Sequence, residues 1–89
     1  MTIHHLKTWP EFYGDTVRGD KPFDIRKDDR DFKVGDTLIL EEFDPTKGKY
    51  TGHSQAFIVT YCLRKEPWVP KGYVAMGIKW VVMVRADEA

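Results

Sequence analysis

Hydrophobic and polar positions change their spacing several times along the chain, and each change marks an element. His4 to Lys7 reads as a short first strand. Thr8-Trp9-Pro10-Glu11 then has the form of a helix start, with Thr8 as N-cap, Pro10 in the first turn and Glu11 three residues after the cap. Trp9, Phe12, Tyr13, Thr16 and Val17 recur at helical spacing up to Gly19, which predicts a short helix whose aromatic stripe packs into the core.

From Pro22 the period falls to two, with Phe23 and Ile25 on one face of a second strand and Asp24 and Arg26 on the other, as a half-buried strand requires. Lys27 to Lys33 is a charged connection. Val34-Gly35-Asp36 reads as a tight turn into a third strand, Thr37 to Phe43, closed by Asp44-Pro45 and the region of Gly48 and Gly52. Ala56 to Leu63 predicts a longer strand with Phe57, Val59, Tyr61 and Leu63 on one face and Ile58, Thr60 and Cys62 on the other. Beyond the loop Glu66 to Gly72, Tyr73 to Arg85 puts Val74, Met76, Ile78, Trp80, Val82 and Val84 on one side, with Gly77 at a bulge or bend. One helix, five to six strands of mixed length and no βαβ rhythm predict an α+β, mainly β domain: a curled sheet closing into a barrel, with the helix over an opening.

Eighty-nine residues fill one core, so a single domain over residues 1–89 is expected. Fourteen Lys+Arg balance fourteen Asp+Glu, so any attraction for a polyanion is local. Between Arg64 and Arg85 only Glu66 opposes five basic residues. A lone Cys62, a start without a signal-peptide pattern and the lack of an apolar run of roughly 20 residues predict a cytoplasmic protein with no membrane span. His4 and His5 point to opposite faces of a strand, and Cys62 and His53 fall in no ligand spacing, so neither metal nor other cofactor is expected.

Functional groups concentrate between Arg18 and Arg26. Asp24 and Arg26 project from one side of the second strand, roughly 6 to 7 Å apart at the backbone, and Lys21 lies just before it. The three form either a pocket for a phosphate, carbonyl or base edge, or a solvated ladder of surface ion pairs. Trp68, between prolines and beside Arg64, Lys65 and Lys71, reads either as a base-stacking side chain or as a tryptophan folded over the barrel end. Lys7 is either a wall of the same cleft or a solvated lysine.

The pattern Gly19-x-Lys21-x-x-Asp24-x-Arg26, followed by Phe32-Lys33-Val34-Gly35-Asp36, resembles the GxKxxExR and VGD signatures of ASCH domains in the PUA-like superfamily. The opening Ile3 to Pro10, the run Asp24 to Phe32 and the closing Gly72 to Ile78 look like a small bacterial and phage family there, domain of unknown function 3850. The resemblance implies a PUA-like pseudo-barrel whose cleft, between barrel and helix, binds RNA or a modified nucleotide. The ligand-binding set is then Lys7, Trp9, Lys21, Asp24, Arg26 and Trp68. ASCH amidohydrolases place a threonine where this chain has Asp24, so their acyl-ester chemistry does not transfer. A hydrolytic alternative on an acylated nucleoside would use Lys21 and Asp24, with Glu66 as a further acid. A third expectation is a protein-interaction domain, with the apolar long strand offering an exposed edge.

Overall fold

The alternation in the first residues survives into the fold. In a computed structural model describing residues 1–81, His4, Leu6 and Thr8 of strand β1 (Ile3–Thr8) point inward, and Ile3, His5 and Lys7 point outward. Helix α1 (Pro10–Val17) follows, then strands β2 (Phe23–Lys27), β3 (Thr37–Asp44), β4 (Lys49–Leu63) and β5 (Tyr73–Trp80). They form one five-stranded sheet in the order β1-β3-β4-β5-β2, with β1 and β3 parallel and the other pairs antiparallel. The result is a curled half-barrel with α1 against β3. Leu6, Phe32, Leu38, Leu40, Phe57, Val59, Val74, Met76 and Ile78 fill its interior.

The helix begins one residue later than the cap motif predicts. Pro10 takes the first helical position, and proline forces its predecessor into extended backbone, so Trp9 is the N-cap and supplies no side-chain cap bond. Thr8 therefore stays in β1 with its side chain buried. At the other end Arg18 closes the helix and Gly19 takes a φ of +87°. The aromatic stripe is not core as expected: Trp9 and Phe12 are exposed, and only Tyr13 packs against the interior, with Thr16 buried below it. Eight residues laid over the barrel mouth are too few to bury a stripe that wide.

β2 has the predicted period, with its charged pair on the inner face. Asp24 and Arg26 pair with Met76 and Val74, which are fully buried, whereas Phe23 and Ile25 pair with Gly77 and Ala75 on the outer face. Directly paired residues share a face, so register with β5 turns the charges inward.

β4 starts at Lys49, seven residues before the predicted Ala56. Its polar arm is held by pairing to β3 and by Glu42, which accepts from Thr51 Oγ1 at 2.7 Å. An extra residue at Thr60, opposite Gly77, then breaks the alternation. Val59 pairs with Ile78 but Tyr61 with Gly77, so Tyr61 turns outward and Cys62 packs on the core, the reverse of the predicted faces. The bulge thus lies across from Gly77, where a Cβ would come within 3.0 Å of Thr60 Oγ1. Both β4 and β5 are interior strands, so neither long apolar strand offers the expected edge; among the described residues the edges are β1 and β2. Of the last predicted strand, Val82 and Val84 lie outside the described residues, and Trp80 is half-exposed, its Nε1 donating to Val17 O at 3.0 Å.

Asp36 ties the turn before β3 to the start of β1. Its buried carboxylate accepts from Thr2 N at 3.2 Å and Lys33 N at 3.1 Å and lies 2.8 Å from His4 Nε2, whose ring packs against Phe32. Burial alone would push this carboxyl up; the bonds from His4, Thr2 and Lys33 outweigh it and hold the group below its ordinary value. The stabilisation is therefore complete above the unfolded-state value, roughly 4, and is lost as pH falls through the lower folded value. Asp36→Ala is expected to cost about 3 kcal/mol in chemical denaturation, and Asp36→Asn to flatten the loss of stability below roughly pH 4 relative to the parent chain.

Candidate functional site

The two edge strands face each other across an open seam, and the site is built on it. Among the described residues β1 pairs on one side only, so the carbonyls of His5 and Lys7, two residues apart, point into the gap. Arg30 Nη1 donates to His5 O at 2.8 Å, and Arg26 Nη1 to Lys7 O at 3.2 Å. Arg26 Nη2 also donates to Thr8 Oγ1 at 2.9 Å, and its Nε to Asp24 Oδ2. Guanidinium groups thus stand where a sheet would have backbone amides.

Asp24 is 5% exposed, and each of its oxygens holds a cation: Arg26 on Oδ2 and Lys21 Nζ, at 3.3 Å, on Oδ1. Lys21 reaches this point because the chain doubles back after α1, where the amides of Asp20 and Lys21 both donate to Asp15 O at 3.0 and 3.1 Å. Its ammonium also donates to Phe23 O at 2.8 Å and sits 5.0 Å from the Phe23 ring centroid. Two cations against one carboxylate leave one net positive charge.

Above this network opens a cavity of about 380 Å³. Lys21, Asp24, Arg26 and Thr8 supply its polar groups, and Trp9, Phe12, Phe23 and Ile25 its apolar walls. Because β2 has a free edge here, residues from both of its faces border the hollow.

Of the residues expected to bind a ligand, Lys7, Trp9, Lys21, Asp24 and Arg26 border this cavity. Lys7 does so with its charge turned away, its Nζ lying 4.1 Å from the Phe43 centroid on the β3–β4 arm. Trp68 and Glu66 do not border it. They lie in the loop that enters β5 at the Lys27–Tyr73 end of the β2–β5 pair, where Trp68 is 72% exposed. There Arg64 bonds Asp28 and Phe32 O, and its hydrogen bond holds the Asp28 carboxyl below its usual range.

Sequence reasoning missed Thr8 as a cavity hydroxyl and Phe12 and Phe23 as cavity walls. Pro10 was the available signal for Thr8, since a proline at the first helical position makes Trp9 the cap. Among the described residues no three His, Cys, Asp or Glu side chains are placed to hold a metal, and no helix is long and apolar enough to cross a membrane.

A family model, Domain of unknown function (DUF3850), matches residues 3–78. The chain belongs to the DUF3850 family. The chain is also 31% identical over 67 residues to a protein of Escherichia phage P2 described as "Uncharacterized 12.9 kDa protein in GpA 3'region". That match takes in 75% of this chain and spans 60% of the phage protein. The DUF3850 match runs from β1 into β5 and so includes every cavity residue.

Arg26 is the structural test of this site. Arg26→Ala leaves Asp24 buried with Lys21 alone and strips donors from Lys7 O and Thr8 Oγ1, so a loss of about 3 kcal/mol is expected in urea denaturation. Arg26→Lys, which keeps the charge without the fork, is expected to recover less than half of it.

Proposed function

We propose that this DUF3850 chain is a PUA-like binding module that takes a base of single-stranded RNA, or of a modified nucleotide, in the cavity between β2 and α1. The observation that carries this reading is the meeting, in one hollow, of aromatic walls with the Lys21–Asp24–Arg26 network. A volume of about 380 Å³ lies within the range of small-molecule sites. Trp9 and Phe12 offer exposed ring surface at its rim, and stacking on an aromatic face is available to every base. Lys21 and Arg26 offer donors to carbonyls, and each Asp24 oxygen, already bonded to a cation, keeps a further lone pair for an exocyclic amine. The PUA-like assignment draws on the mixed half-barrel, the helix at its mouth and the position of the Gly19-to-Arg26 motif at the cleft.

The hydrolytic alternative has less to draw on. Both Asp24 oxygens already hold cations, and Glu66 does not border the cavity.

Amide-shift NMR titration with nucleosides and short single-stranded RNAs tests the proposal. Shifts are expected at Trp9 and from Lys21 to Arg26. Trp9→Ala should weaken binding by about tenfold or more, the loss of one stacking partner, and Trp68→Ala should leave it unchanged. Shifts confined to residues 64–71 would move the site to the basic loop. Turnover of an acylated nucleoside, abolished by Lys21→Ala, would instead establish an enzyme.

A further inference from the structure

The seam holds a second hollow, smaller and chemically different. It encloses about 140 Å³ and is bordered by Leu6, Arg26, Lys27, Asp29, Arg30 and Phe32. Where the larger cavity is walled by aromatic and aliphatic surface, this one presents three cations and one carboxylate. Among the described residues neither Lys27 nor Arg30 forms an ion pair, so the smaller hollow keeps its positive charge. Arg30 is also held in place: one nitrogen is fixed on His5 O at 2.8 Å, and the rest of its donor fork remains for an anion.

Arg26 borders both hollows and stands as the wall between them. Along β2 their polar groups, Asp24 on one side and Lys27 on the other, are three residues apart, roughly 10 Å. An extended nucleotide, with its base in one compartment and its phosphate in the next, spans such a distance. We infer that the smaller hollow is a phosphate subsite, and that the ligand of the seam is a nucleotide bound through base and phosphate together, its sugar crossing Arg26. This rests on the base-binding reading of the larger cavity and adds to it a ligand class and a direction of binding along the seam.

The test compares a nucleoside, its 5′- and 3′-monophosphates, a short RNA and inorganic phosphate by titration at low salt. One monophosphate is expected to bind at least tenfold more tightly than the nucleoside, and the gain should shrink as salt rises. A gain seen only with the short RNA would assign the phosphate to a polynucleotide backbone and leave the subsite standing. Lys27→Ala, at an exposed side chain with no ion pair among the described residues, and Arg30→Gln should each bring the ratio of monophosphate to nucleoside affinity toward one. Equal affinity for nucleoside and all phosphorylated forms in the parent chain, or a gain that survives both substitutions, would overturn the subsite. If inorganic phosphate shifts Lys27 and Arg30 while no nucleoside binds, the subsite stands and the base-binding reading fails.

Discussion

An open sheet has two edges with unsatisfied backbone groups, and the carbonyls on the free edge of β1 set the terms for much of this molecule. Bonding them by a further strand would close the barrel and erase the cleft. Arg26 and Arg30 bond them instead, and the barrel stays open. The buried member of this network is the carboxylate, which needs a counter-charge: Asp24 faces the half-buried Arg26 from the same side of the same strand. Lys21 then takes the second carboxylate oxygen. Fold and candidate site are therefore one network seen from two directions.

The same network distributes charge. A chain with no net charge still presents a positive seam, because Asp24 offsets one of its two neighbours while Lys27 and Arg30 have no carboxylate partner among the described residues. Lys7, which begins on the same edge, carries its ammonium away to Phe43. The cleft is consequently positive on both sides of Arg26, by Lys21 and Arg26 against Asp24 beside the aromatic walls and by Lys27 and Arg30 against Asp29 beyond them.

Much of this was legible in the residues, with exceptions that have physical causes. Period-two and helical spacing located β1, α1, β2, β3 and β5, and the charged motif pointed to Lys21, Asp24 and Arg26. Alternation defines two faces without saying which is inside; on β2 it is the register with β5 that turns Asp24 and Arg26 inward and leaves Phe23 and Ile25 outside. Helical spacing is the same for a side chain lining a hollow as for one filling a core, so spacing alone assigns Trp9 and Phe12 to the core. The arm Lys49 to Gln55 carries no apolar rhythm, and Phe32, a fully buried core residue, sits within a charged run where nothing local marks it. The bulge at Thr60 leaves no trace in its own residues, only in its register with Gly77.

A barrel closed by paired backbones can widen only by parting a ladder of bonds, a collective event. Here arginine side chains span the open seam, and their single-bond rotations run on far shorter timescales than strand separation. The girth of the molecule is thus adjustable at one place, one stitch at a time, while the four ladders that carry its stability stay intact.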